Sequence, residues 1–157
     1  MMDLFVMQYN ARQNTPAYWR NKSHDLLVSA RALWVAMQNN SNLEVNCWAT
    51  YKMLMRMSFK LLSKAHCVGA GIVFDPVHDL MVLARTANFT ASKEEKSIFE
   101  VLSAYILWDG RYPTPKKPEY LKMHWDNQNK MSDDNLDFER LLPMWRRFSG
   151  AFVEKYN

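Results

Sequence analysis

The residues of this sequence best suited to acid–base chemistry are its histidines, His24, His66, His78 and His124. An imidazole titrates near neutral pH and is therefore the usual general acid or base. His78 stands at the start of a predicted helix beside Asp79, with no nucleophile or acid partner nearby in sequence, and this favours a structural hydrogen bond. A catalytic cluster would require the fold to bring His78 or His124 close to Arg111.

Metal and cofactor sites are not predicted by the remaining motifs. His66 and Cys67 could ligate a metal, but neighbouring residues of a helix point roughly 100° apart, and no second pair at ligand spacing occurs. The sequence contains no glycine-rich phosphate loop, no Gly-x-Ser-x-Gly elbow and no Cys-x-x-Cys. We therefore expect no metal and no cofactor.

The two cysteines, Cys47 and Cys67, fall on one predicted helix, which at about 1.5 Å per residue separates them by roughly 30 Å. Such a distance excludes an internal disulfide, and a reducing cytoplasm is the expected setting. The first ten residues do not resemble a secretory signal, and no stretch is apolar enough to cross a membrane.

A basic stripe is formed by residues that recur every fourth position, namely Lys52, Arg56, Lys60 and Lys64. On a helix these side chains share one face, and like charges at this spacing repel by a few tenths of a kcal/mol per pair. Two interpretations remain open. Either the stripe is solvated or paired with an acidic face, for which Asp133, Asp134, Asp137 and Glu139 are candidates, or it binds the phosphates of RNA.

A second basic cluster follows the fourth predicted helix and combines cations with aromatic rings, namely Arg111, Tyr112, Lys116, Lys117, Tyr120 and Lys122. Basic groups beside aromatic rings can hold phosphates and stack on bases. Prolines within this loop would limit the entropy lost on binding. The alternative is a lid in which the tyrosine and prolines cover the helical core and the lysines extend into water. Trp125, in the polar stretch that follows, is a candidate for an exposed partner-binding residue.

These residues must be positioned by helices. The chain has 157 residues, enough for one domain with its own core, and only four glycines, too few for the turns of an all-β fold. Apolar residues at three- and four-residue spacing predict helices over about 17–38, 43–68, 75–87 and 92–110, and a C-terminal helix over 133–157. Ser92 and Glu95 have the spacing of a capping box, and Pro143 should kink or divide the last helix. Residues 1–16 are expected to be a flexible arm, and 111–132 a proline-rich polar loop.

Three segments resemble the HEPN family, over about residues 17–118. The second predicted helix ends in an aliphatic stretch followed by Lys64-Ala65, the next opens with His78-Asp79-Leu80, and a third match runs from Tyr105 to Pro113. The resemblance implies an up-and-down bundle of four to six helices, often dimeric. It also implies a role in RNA processing, toxin–antitoxin pairs or phage defence.

One feature of the family's nucleases is missing. They use an arginine and a later histidine with four to six residues between them, and this spacing does not occur here. Arg20 and His24 come closest, but they have only three residues between them and lie in the first predicted helix, where the family motif does not belong. The catalytic assignment therefore does not carry over.

Three functions remain for the chain at the level of sequence. The first is a non-catalytic HEPN-like protein, a homodimer that binds RNA or a protein partner through the two basic clusters. The second is a divergent ribonuclease or nucleotide-modifying enzyme that uses Arg111, His78 or His124. The third is a structural assembly protein, which would expose an apolar patch and lack a basic groove.

Overall fold

The described part of the chain is helical throughout. A computed structural model describes residues 1, 3–73, 80–105, 112–131 and 133–156, apart from the side chains of 133 and 134. These residues contain no strand. They form seven α-helices and one short 3-10 helix: α1 (Leu4–Asn14), α2 (Pro16–Asn39), α3 (Ser41–Gly69), α4 (Leu80–Thr86), α5 (Lys93–Ala104), α6 (Pro118–Asn129), the 3-10 helix (Asp133–Leu136) and α7 (Phe138–Tyr156). The all-α fold is confirmed, but the described helices outnumber the four to six expected.

The two additional helices lie in segments that were expected to lack structure. The N-terminal arm contains α1, which Asp3 caps by accepting a hydrogen bond from the Phe5 N–H at 2.9 Å. The loop expected over 111–132 contains α6, and Pro118 stands at its first position. Proline is favoured there because its missing N–H would have no helical partner. The expectation that 119–129 is loop is therefore wrong.

Most predicted helix boundaries agree with the structure to within two residues. The capping box of α5 is confirmed, since Ser92 and Glu95 exchange hydrogen bonds with each other's backbone N–H at 3.1 Å. Pro143 does not divide α7, which is one continuous helix. The expected cap at Asp75 and the His78-Asp79 pair lie outside the described residues, as does 106–111.

The longest helices, α2 and α3, form a hairpin joined by Asn40, which caps α3. Two buried serines hold the pair together at close range. The Ser23 hydroxyl donates to the Ser58 carbonyl, and the Ser58 hydroxyl donates to the Ser23 carbonyl, both at 2.7 Å. The Trp145 indole N–H also donates to the Ser23 hydroxyl at 3.0 Å, so the same point fixes α7. Small side chains allow this close approach, and the hydroxyls of both Ser23 and Ser58 have hydrogen-bond partners.

The middle of the fold is occupied by α3, which packs against α2, α4, α5 and α7. Its buried side chains therefore point in several directions and include Tyr51, Met55, Phe59 and Leu62. This agrees with the sequence, in which the helix is apolar over most of its surface. No described helix is long and apolar enough to span a membrane.

Candidate functional site

The basic stripe of α3 is not a surface feature along its whole length. Lys52 is 2% exposed and Arg56 is 0% exposed, while Lys60 and Lys64 are half-buried. The helices that pack around α3 cover the N-terminal half of the stripe. A stripe that is solvated along its whole length is therefore not what the structure has, and only Lys60 and Lys64 are partly accessible. Of the expected acidic partners, Asp133 and Asp134 have side chains outside the described part of the structure.

Lys52 is held by aromatic residues. Its ammonium donates a hydrogen bond to the Tyr105 hydroxyl and lies 4.6 Å from the centroid of the Trp48 ring and 4.2 Å from that of Tyr105. A cation over an aromatic face is stabilised by the ring quadrupole, and the gain is larger where water is excluded. The position of this lysine is thus accounted for by contacts inside the fold rather than by an external ligand.

Tyr105 joins three helices around that ammonium. Its hydroxyl also accepts a hydrogen bond from the Gln128 side chain at 2.8 Å, and its ring meets the edge of His124 with centroids 5.2 Å apart. Lys52 comes from α3, Tyr105 follows α5, and His124 and Gln128 come from α6. The cluster attaches α6 to the rest of the fold, because His124 is the only side chain that the described α6 buries.

The described residue among those proposed for catalysis does not lie in an open site. His124 is 4% exposed and lies on the side of α6 that packs against Tyr105, where a large substrate cannot reach it. His78 and Arg111, its proposed partners, lie outside the described residues. Among the residues that are described, no three His, Cys, Asp or Glu side chains are grouped so as to hold a metal ion.

Farther along α3, Lys64 contacts α2. Burial, and after it nearby Arg56, lowers the pKa of Lys64. Its ammonium lies 5.7 Å from the centroid of the Trp19 ring on α2. Lys64 thus faces α2.

The second basic cluster is exposed, in contrast to the first. We call it the α6 surface and define it by its exposed members, Tyr112, Lys116, Lys117, Tyr120, Lys122 and Trp125. Trp125 is 63% exposed, which agrees with its polar sequence neighbourhood. The lid expected as an alternative is not formed by Tyr112, since this ring is itself exposed. The remaining member of the predicted cluster, Arg111, lies outside the described residues.

Two lysines of the α6 surface precede the first turn of α6, and the third is on the helix. Lys117 is the residue before Pro118, so both Lys116 and Lys117 stand at the positive end of the helix dipole. Lys122 pairs with Asp126 at 2.7 Å, and this hydrogen bond raises the pKa of the lysine. Both partners are largely exposed, so the pair adds little stability. It does reduce the charge that Lys122 offers to an anion.

A cleft between α2 and α7 was not anticipated from the sequence. We call it the α2/α7 cleft; its volume is about 370 Å³. The floor is apolar and the rim is charged, with Leu27, Phe138, Leu142 and Trp145 below and His24, Arg31, Glu139 and Arg146 above. A signal was present in the sequence. His24 and Arg31 are seven residues apart, as are Glu139 and Arg146, and two helical turns place each pair on one face.

The apolar side chains of α1 form a further exposed feature. We call it the α1 surface and define it by Leu4, Phe5, Val6, Met7 and Tyr9, all of which are exposed. No residue of α1 is buried. Its C-terminal end is fixed by the Trp19 indole N–H, which donates to the Gln13 carbonyl at 3.0 Å. The helix therefore has a defined attachment but no apolar surface to pack against.

Comparison with known proteins gives no guide to function. The chain matches no family model, no curated protein and no solved structure.

Proposed function

We propose that the chain is a non-catalytic, HEPN-like helical protein that binds single-stranded RNA through the α6 surface. The observation that carries the proposal is the exposure of three aromatic rings and three lysines between residues 112 and 125, just before α6 and along it. The resemblance of residues 17–118 to the HEPN family supports the same class of ligand. It also suggests a cytoplasmic toxin–antitoxin or phage-defence setting.

The lysines of this surface would bind the backbone. Lys116 and Lys117 precede the first turn of α6, where the helix dipole adds to their attraction for a phosphate. Each phosphate contact releases condensed counterions, and the logarithm of the affinity therefore falls with the logarithm of the salt concentration, by about 0.7 per contact for single strands. Three contacts would give a slope of about −2.

The aromatic rings would bind the bases. Stacking on an exposed ring is worth about 1–3 kcal/mol per base and tolerates any sequence, because every base has a π-face. Trp125 offers the largest exposed ring. Unpaired bases are required for stacking, which favours single strands over duplexes.

The test is a titration of a fluorescently labelled single-stranded RNA at several salt concentrations. We expect the slope stated above, a loss of affinity of about fivefold or more for Trp125→Ala, and a shallower slope for the double variant Lys116→Gln, Lys117→Gln. The matched control is Lys93→Gln, Lys96→Gln on the exposed side of α5, which should bind as the wild type does. Salt-independent binding, or equal losses in the control, would refute the proposal.

Binding to a protein partner is a second candidate function, and the α1 surface favours it. Exposed contiguous apolar side chains are typical of interaction sites, and an isolated helix shorter than about 12–15 residues is marginal in water. The eleven residues of α1 bury none of their side chains within the chain. We propose self-association as this second role, in agreement with the homodimers that the family resemblance implies.

A further inference from the structure

We infer that α1 of one copy packs into the α2/α7 cleft of a second copy. This inference rests on the proposed self-association and names the two surfaces that form the interface. One is a helix whose apolar side chains are all exposed, and the other is a cleft with an apolar floor and a charged rim.

The two surfaces match in apolar character. The cleft is bounded by two helices, and an amphipathic or apolar helix laid in such a groove is a common mode of recognition. Its volume of about 370 Å³ suits a few large side chains of one helix rather than a folded domain. Phe5, which is 76% exposed, is the largest candidate for insertion.

Their charges match as well. Trp34 hydrogen-bonds to Glu139, and His24 contacts Trp145, so α2 and α7 run antiparallel along the cleft. His24 and Arg146 therefore lie at one end, and Glu139 and Arg31 lie toward the other. On α1 the carboxylate of Asp3 is at the N-terminal end. Complementarity predicts that Asp3 lies toward Arg146, at the end of the cleft that has cations and no carboxylate.

The cations of the cleft are available for such a contact. Neither Arg31 nor Arg146 forms a hydrogen bond or ion pair with any residue that the structure describes. Glu139 accepts a hydrogen bond from the Trp34 indole at one oxygen, Oε1, at 3.0 Å. A second carboxylate at the Arg146 end would thus meet uncompensated positive charge.

Geometry directs α1 to another copy rather than to its own cleft. A single residue, Thr15, separates α1 from α2, and helices that return along each other are usually joined by about two to eight residues. The Trp19–Gln13 hydrogen bond holds the end of α1 at the start of α2, before the cleft begins at His24. Exchange of α1 between two copies would be reciprocal and would close a two-fold dimer.

The experiment measures the mass of the full chain in solution by light scattering over a range of concentrations. The wild type should dimerise, and Phe5→Asp on α1 and Arg146→Glu in the cleft should each raise the dimer dissociation constant about tenfold or more. The controls are Val45→Asp and Lys96→Glu, both exposed and outside the two surfaces, and each should dimerise as the wild type does. Circular dichroism spectra identical to that of the wild type establish that the variants fold.

Mixing the two disrupted variants separates this interface from other modes of association. In a reciprocal exchange, the intact α1 of the Arg146→Glu chain meets the intact cleft of the Phe5→Asp chain. The other interface of the heterodimer has both substitutions, but contacts that one substitution has already broken are not lost a second time. The mixture should therefore form a heterodimer more tightly than either variant forms a homodimer. Packing of α1 against α1 predicts no such gain, and that result would overturn the inference. A dimer that neither variant weakens would overturn the proposed interface but leave self-association in place. A wild-type chain that is monomeric at every concentration would overturn both the interface and self-association.

Discussion

Individual charged residues of this chain occupy environments that their spacing in the sequence did not reveal. A repeat of four residues places Lys52, Arg56, Lys60 and Lys64 on one helical face. Whether that face meets water depends on the neighbouring helices, and α3 is surrounded on several sides. Two aromatic residues contact Lys52. Trp48 lies one helical turn before it, whereas Tyr105 comes from a distant part of the sequence. Sequence periodicity could therefore identify the stripe but not its burial.

Replacement of Lys52 should destabilise the fold strongly. Lys52→Met keeps an unbranched side chain of similar length but removes the ammonium that bonds to Tyr105 and lies against two rings. We expect the free energy of unfolding to fall by about 1–3 kcal/mol, because a charge-assisted hydrogen bond and two cation–π contacts are lost. Urea titration followed by circular dichroism measures this. The control Lys96→Met, at an exposed position on α5, should change the value by less than about 0.5 kcal/mol. Equal effects of the two substitutions would contradict the assignment.

Protonation of His66 should weaken the fold in mild acid. Burial lowers the pKa of this ring below its ordinary 6.5; the hydrogen bond to the Phe148 carbonyl raises it, and Lys155 lowers it. The unfolded chain therefore takes up the proton at higher pH than the folded chain. The contribution of His66 to stability is complete above about pH 6.5 and is lost as the pH falls through the lowered pKa, by at most about 1.4 kcal/mol per pH unit.

The measurement is the free energy of unfolding of wild type and His66→Gln between neutral and mildly acidic pH. Glutamine does not titrate and can still donate to the carbonyl, so the variant should lose less stability on acidification. The control Val45→Gln changes an exposed residue of the same helix that does not titrate, and it should retain the wild-type pH dependence. A pH dependence that is the same in His66→Gln and wild type would show that His66 is not the responsible group.

Whole helices were predicted well where the signals are local. The boundaries of α2 and α3 follow from apolar spacing, and the start of α5 follows from its capping box, which depends on only two residues. By contrast, α1 and α6 have no single apolar face to detect. At the start of α1, four apolar residues follow one another and therefore point to different sides of the helix. In the described α6, His124 is the one buried residue. Capping signals, Asp3 for α1 and Pro118 for α6, were the evidence available for them.

Two glycines on helices should respond oppositely to alanine. A Cβ at Gly69, the last residue of α3, would lie 2.7 Å from the Tyr156 ring at the end of α7. At Gly150, inside α7, nothing lies within 4 Å of the same atom. Gly150→Ala should therefore raise the free energy of unfolding by about 0.5–1 kcal/mol through helix propensity.

Gly69→Ala should lower the free energy of unfolding by about 1 kcal/mol, because Tyr156 must leave its position and lose its hydrogen bond to the His66 carbonyl. Thermal unfolding of the two variants and the wild type provides the comparison. If Gly69→Ala were as stabilising as Gly150→Ala, the end of α7 would not be docked on α3 as described.

For the molecule as a whole, composition and periodicity alone determined the all-helical class, most helix boundaries and the presence of two basic clusters. These properties depend on residues within a few positions of one another, so one sequence contains them. The structure alone decided that the α3 cluster is partly buried while the α6 surface is exposed, and that α1 is left without a covering surface. It also created the α2/α7 cleft from side chains more than a hundred positions apart. Such outcomes depend on which helix faces meet, and that is a property of the packing of all helices together rather than of any one segment.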